Sequence, residues 1–237
     1  MRAGRWWRYG AASLAVLVVA GCGPLDGEGT AADEGRPSSG SSDEPEGKGG
    51  SGDDGLPGMP TEKEARDRLA GLKVAAHGSM DGYSREKFPH WSSHGENCDT
   101  REKVLQRAGE DVRRDQQCRA VSGRWTSVYD GEKVTDASEL DIDHMVPLAA
   151  AWRSGAARWT QERREEFAND LRRPQLLAVT ATTNRTKGDQ GPEEWQPPAK
   201  EYWCSYARAW TAVKSTYRLT VTAGEKDRLG GMLDTCR

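Results

Sequence analysis

The chain has 237 residues, 30% of them charged, and a formal net charge of −3 at pH 7. That charge is unevenly placed: residues 1–21 carry +3, residues 22–58 carry −7 and residues 59–237 carry +1. The last segment lacks the strongly basic surface of a broad nucleic-acid binder, yet it is not acidic enough to exclude nucleic acid. After residue 21 no apolar run is long enough to span a bilayer, which excludes a multispanning helical transporter or channel.

Arg2, Arg5 and Arg8 precede the apolar run from Ala11 to Ala20, which ends in Val19-Ala20-Gly21-Cys22. A basic start, a short apolar core and small residues at the cut describe a signal peptide over residues 1–21. The Cys directly after Ala-Gly resembles the lipobox of bacterial lipoproteins. That resemblance implies a lipidated Cys22 as the first mature residue and an extracytoplasmic protein held to a bacterial membrane by its lipid alone. The other reading is an ordinary secretory signal in which Cys22 is incidental. Residues 22–58 are rich in Gly, Ser, Asp and Glu and hold Leu25 and Leu56 as their only large apolar side chains. Such a segment cannot bury enough surface to offset its ordering entropy and is expected to be a disordered acidic linker.

Residues 59–237 are expected to form one domain. Thr61-Glu62-Lys63-Glu64 is a capping-box pattern that opens a helix to about Val74. Phe88-Pro89-His90-Trp91 reads as loop, and Thr100 is placed to cap a helix ended by Gly109. Gly123 to Gly131 reads as a strand stopped by the Asp130-Gly131 turn signal, and Leu140 to His144 as a second short strand closed by Pro147. Thr160 begins a charged helix to about Leu171, and Gln175 to Val179 is a short apolar strand. A short helical segment is expected from Asn184. Tyr202, Tyr206, Trp210, Val213 and Tyr217 recur at helical spacing, an aromatic stripe that suits a core better than a base-stacking platform. Thr222-Ala223-Gly224-Glu225 is a second capping box, opening a last helix toward Cys236. Four cysteines besides Cys22 allow three pairings; Cys98–Cys118 and Cys204–Cys236 each close a local loop and are favoured. The alternative, a four-cysteine zinc site, lacks any paired Cys-x-x-Cys.

The chemistry concentrates in residues 139–190. Asp141-Ile142-Asp143-His144 with Pro147 is followed by the strand at Gln175 and by Asn184-Arg185-Thr186-Lys187-Gly188-Asp189. Asp-His with a Pro shortly after it, a short strand, and Asn-x-x-Lys resemble the ββα-metal, or HNH, endonuclease motif. Cys98-Asp99-Thr100-Arg101, Trp125, Asp130-Gly131 and Trp152 add a closer likeness to exported actinobacterial HNH proteins. These are related to the C-terminal domain of modification-dependent restriction enzymes. The resemblance implies an α+β fold: a ββα-metal core embedded in a mainly helical domain with two disulfides. It also implies Asp143 and Asn184 as metal ligands and His144 as general base. The family has an Asn at the middle position, where it helps orient the base; this chain has Gln175, the same amide on a longer arm.

Elementary chemistry agrees with those roles. Phosphodiester hydrolysis needs a nucleophilic water, neutralised phosphoryl oxygens and help for the leaving alkoxide. A neutral imidazole can take the proton from water. One carboxylate and one amide oxygen suffice for Mg²⁺ or Mn²⁺, which keep several waters, and they suit Zn²⁺ less well. Asp141 shares a strand face with Asp143 and either supports the site or is merely solvated. Lys187 and Arg185 either contact phosphate or lie on a solvated helix face. Arg101 either binds phosphate near a helix N-terminus or pairs with a nearby acid. His90, His94 and Cys98 are four apart, but Pro89 and Gly95 make a shared helix a poor expectation, and zinc with it. His77 is expected to be structural or exposed, and Trp195 a core anchor. The leading reading is a monomeric, metal-dependent endonuclease acting on DNA outside the cytoplasm. Two others stand beside it: a catalytically silent envelope lipoprotein that keeps the fold as a binding module, and a nuclease or phosphodiesterase for RNA or small nucleotides.

Overall fold

Thr61 opens the first helix of the structure, a computed structural model that describes residues 55–237. The signal peptide, Cys22 and most of the acidic linker lie outside the described residues. In α1 (Glu62–Gly71) both halves of the capping box form: the Glu64 amide donates to the Thr61 hydroxyl at 3.2 Å and the Thr61 amide to the Glu64 carboxylate at 2.8 Å. The helix stops before Val74, because Leu72 turns extended and Val74 forms a parallel bridge with Val221. In α2 (Thr100–Ala108) the cap is Asp99, which accepts from the Glu102 amide at 2.9 Å. Thr100, the expected cap, is instead buried and donates its hydroxyl to Asn169 at 2.8 Å.

Next come β1 (Glu110–Arg114), β2 (Ala120–Thr126) and β3 (Lys133–Val134), an antiparallel sheet in the order β1-β2-β3. The polar run of β1 gives no alternation to predict a strand from. The Trp125 indole on β2 is buried and donates to the Leu105 carbonyl at 2.8 Å. Gly123 allows that placement, since a Cβ there would stand 2.5 Å from the Trp125 ring.

The second sheet positions the site. β4 (Leu140–His144) runs antiparallel to β5 (Leu176–Thr180), with Asp141 opposite Val179, Asp143 opposite Leu177 and His144 opposite Leu176. Between them lie α3 (Leu148–Arg153), unexpected from sequence, and α4 (Gln161–Ala168); α5 (Ala181–Lys187) follows β5 without a loop. This ribbon is sandwiched between two apolar clusters. Leu140, Ile142, Leu176 and Ala178 join one with Leu105 and Trp125; Leu177 and Val179 join the other with Phe167, Tyr206 and Trp210. Burial on both faces explains why β5 is continuously apolar, where a strand with one wet face would alternate.

The larger cluster is closed by α6 (Trp203–Tyr217) and α7 (Ala223–Leu233). Tyr206, Trp210, Val213 and Tyr217 are buried, so the aromatic stripe is core. Between the two helices Lys214 and Glu225 form a buried ion pair at 2.9 Å, and the Trp210 indole donates to the same carboxylate at 2.6 Å. Disulfides join Cys98 to Cys118 and Cys204 to Cys236, the favoured pairing, closing loops of 20 and 32 residues. Reduction is expected to cost about 2–5 kcal/mol per bridge, through the entropy returned to the unfolded chain. A melting temperature unmoved by strong reductant would contradict this.

Candidate active site

Strand alternation sends Asp141 and Asp143 to one face of β4 and His144 to the other. All but Asp141 of these, with Asn184 and Arg185 from α5, line one open cleft of about 230 Å³. Tyr83 and Arg85, in the segment before α2, line it as well.

His144 is 5% exposed, and its Nε2 stands 2.9 Å from the Ala168 carbonyl at the end of α4. A carbonyl can only accept, so Nε2 carries the proton and Nδ1 keeps its lone pair. Burial lowers the imidazole pKa from 6.5 to about 3, and the Ala168 contact opposes that only in part. The ring is therefore neutral near pH 7. Trp91 stacks on it, with ring centres 6.2 Å apart and planes at 27°. Trp91 adopts φ 65°, a left-handed backbone that a bulky residue keeps only when its surroundings hold it. Asn169, next to Ala168, supplies part of that hold: it accepts from the Ser92 amide at 2.9 Å and donates to the Pro89 carbonyl at 2.8 Å.

Asp143 is also 5% exposed. Lys187 places its ammonium 2.9 and 2.7 Å from the two carboxylate oxygens and donates to the His144 carbonyl at 2.8 Å. Tyr129 donates its hydroxyl to Oδ2 at 2.6 Å. Burial pushes the Asp143 carboxyl up and the Lys187 ammonium down, each opposed by the partner's charge. Of the roles expected for Lys187, the solvated face is corrected, and its ammonium supports Asp143 rather than reaching out of the site. Its side chain is 0% exposed, because α5 packs that position inward over Asp143.

The amide of Asn184 donates through Nδ2 to Asp141 at 3.1 Å, which turns its oxygen away from Asp141. Asp141 thereby orients Asn184. Gln175 does not touch the imidazole. Its side chain accepts from the Val146 amide at 3.1 Å and donates to the Val146 carbonyl at 3.0 Å, so it fixes the backbone just beyond His144. Among the described residues Arg101 pairs with no acid: its guanidinium donates to the Ala137 and Leu140 carbonyls and braces the start of β4. His90 and His94 are bonded to the Phe88 carbonyl and the Thr100 hydroxyl, and Cys98 is in a disulfide, so no zinc set forms there. Trp195 packs edge-on against Tyr129 at 5.2 Å as a partial core anchor.

A metal ion has a workable donor set in the cleft. An ionised carboxylate offers about four acceptor positions. Lys187 and Tyr129 use three on Asp143, leaving one on Oδ1, and Asn184, its oxygen not engaged by Asp141, lines the same cleft. Both are hard oxygen donors, the kind Mg²⁺ and Mn²⁺ take. Elsewhere, His77, Glu193 and Glu225 bring ligand atoms within 4.8 Å of one another, but Glu225 is already committed to Trp210 and Lys214.

Residues 97–232 match the family of GmrSD restriction endonucleases, C-terminal domain. The chain belongs to this family. It is a nuclease-related family, and the matched span holds β4, β5 and α5 entire, with Asp143, His144, Gln175 and Asn184. The chain is also 54% identical over 180 residues to an uncharacterized secreted protein of Arthroderma benhamiae, covering 76% of this chain and 88% of that one. Two disulfides agree with an oxidising, extracytoplasmic location. No solved structure matches significantly.

Sequence reasoning missed Tyr129, Trp91, Tyr83 and Arg85. Tyr129 sits in a turn between two strands, where no periodicity marks it. The other three precede the family segment, where no motif covers them.

Proposed function

We propose that this GmrSD-type domain is a metal-dependent HNH endonuclease that hydrolyses phosphodiester bonds in DNA outside the cytoplasm. One observation carries the reading: a histidine with Nε2 locked and Nδ1 free lines the same cleft as Asp143 and Asn184. His144 accepts the proton of the attacking water at Nδ1, and the Ala168 carbonyl holds the ring in the required tautomer. Gln175 fixes the backbone behind that ring, and Trp91 covers its face. Lys187 and Tyr129 hold the Asp143 carboxylate in place, Lys187 opposing the effect of burial on its charge, while Asp141 orients the Asn184 amide. A divalent ion, Mg²⁺ or Mn²⁺, held by Asp143 and Asn184 supplies charge neutralisation at the phosphate and the leaving oxygen. The amino-terminal pattern supports export and lipidation at Cys22, with the acidic linker as a leash.

The test is supercoiled plasmid incubated with the purified chain in Mg²⁺, Mn²⁺ or EDTA. Nicking in either metal and none in EDTA is the expected result. The ammonium already seated on Asp143 favours one rival, a catalytically silent binding module; a folded, disulfide-intact sample that cuts no DNA or RNA in either metal would establish that instead. Parallel duplex, single-stranded and RNA substrates identify the polymer.

A further inference from the structure

The acids and bases of the cleft do not balance. Asp143 is neutralised by Lys187, and Asp189, also lining the cleft, by Arg153, whose guanidinium binds it at 2.6 Å. Two cleft-lining cations remain. Arg185 on α5 has only a loose approach to Asp141 at 3.7 Å and is 76% exposed. Arg85 is exposed, and among the described residues no hydrogen bond or ion pair engages its guanidinium. A cleft lined by one unpaired guanidinium, one only loosely paired and a buried imidazole is built to take an anion.

Arg85 stands on a firmly held turn. It begins a short helical turn, Arg85–Lys87, whose next residue, Phe88, is fully buried and packs edge-on against Trp152 and Phe167. Arg164 donates to the Lys87 carbonyl at 2.9 Å, and His90 Nδ1 lies 2.9 Å from that of Phe88. The backbone under Arg85 is thus fixed while its side chain is free to bind, an arrangement that limits the ordering entropy lost on contact. This turn lies outside the family-matched segment, which begins at residue 97.

We propose that Arg85 and Arg185 form a phosphate subsite in this cleft that grips the substrate backbone and presents one phosphodiester to His144. The subsite rests on the nuclease reading for its substrate, but its binding is measured separately. The full chain carrying His144→Ala, in EDTA, is titrated against a fluorescein-labelled single-stranded oligonucleotide from low to moderate salt. Each phosphate contact contributes about 0.7 to the slope of log affinity against log salt for a single strand. Adding Arg85→Gln is expected to weaken binding about tenfold at low salt and reduce that slope by about one contact. Arg85→Lys should restore the slope, and Arg124→Gln, on β2 and paired with Glu110 and Asp111, should leave it unchanged. In the active chain, Arg85→Gln should act more on KM than on kcat. A slope and a KM unmoved by Arg85→Gln in a chain that cuts DNA would overturn the subsite and leave the nuclease standing. A slope that depends on Arg85 in a wild-type chain that cuts nothing would uphold the subsite and refute hydrolysis.

Discussion

Replacing His144 with alanine is expected to lower the cleavage rate by about 10²–10⁴-fold, the range that a positioned general base contributes. The imidazole is the one group in the cleft with a free lone pair at neutral pH and a second nitrogen fixed by a carbonyl. Asp143 cannot substitute, because Lys187 and Tyr129 occupy three of its acceptor positions. The same variant has a second signature, in stability. The pKa of His144 in the fold is about 3, below the 6.5 of an exposed imidazole, because burial penalises the cation. Between those values the unfolded chain binds a proton that the native chain does not. Wild-type stability in metal-free buffer should therefore rise with pH across that window, by roughly 1 kcal/mol per unit from this group. His144→Ala removes that contribution and flattens the acid limb. Urea titrations at pH 4, 5, 6 and 7 measure it. A variant that cuts at the wild-type rate would remove His144 as the base; an acid limb unchanged by the substitution would show that the buried neutral imidazole is not its source.

What could be read from sequence follows how local each cause is. Both capping boxes, β4, α6 and the disulfide pairing depend on nearby residues or on a strong period, and the structure contains them. β1 has no alternation because neither face is buried, and α3, a run of small residues after Pro147, lacks a polar cap to announce it. Within the cleft, the short-range motif brought Asp143, His144 and Asn184 together. Partners set by packing were beyond it. The Ala168 carbonyl on His144 comes from the end of α4, and Arg85 from a short helical turn far upstream. Gln175 shows the difference within one residue. Its amide bonds the backbone of Val146, so the longer arm compared with Asn meets main chain, whose position no side-chain pattern reveals.

Lys187 is where sequence and structure differ most, and its removal should be costly. On sequence alone, an Asn-x-x-Lys helix suggests a lysine that reaches for phosphate. In that case Lys187→Met would raise KM and leave the unfolding free energy within about 0.5 kcal/mol, as for ordinary surface changes. The structure dictates the reverse. The ammonium is fully buried, held by both oxygens of Asp143 and by the His144 carbonyl, so methionine leaves a buried carboxylate without its cation. Breaking a buried pair from one side costs about 3–5 kcal/mol. The remaining Asp143 escapes part of that cost by taking a proton, since burial, which raises its pKa, is then opposed only by the Tyr129 hydrogen bond and no longer by a cation. A carboxyl whose folded pKa lies above its unfolded value favours the native state in acid and loses that contribution as pH rises through the folded pKa. The penalty of Lys187→Met should therefore be larger at pH 8 than at pH 5. Removing both charges, in Asp143→Asn with Lys187→Met, should cost less than the sum of the single changes, since no uncompensated charge remains. Chemical denaturation of the four proteins at the two pH values gives the cycle. A single-variant loss under about 1 kcal/mol, independent of pH, would return Lys187 to the surface and to the phosphate.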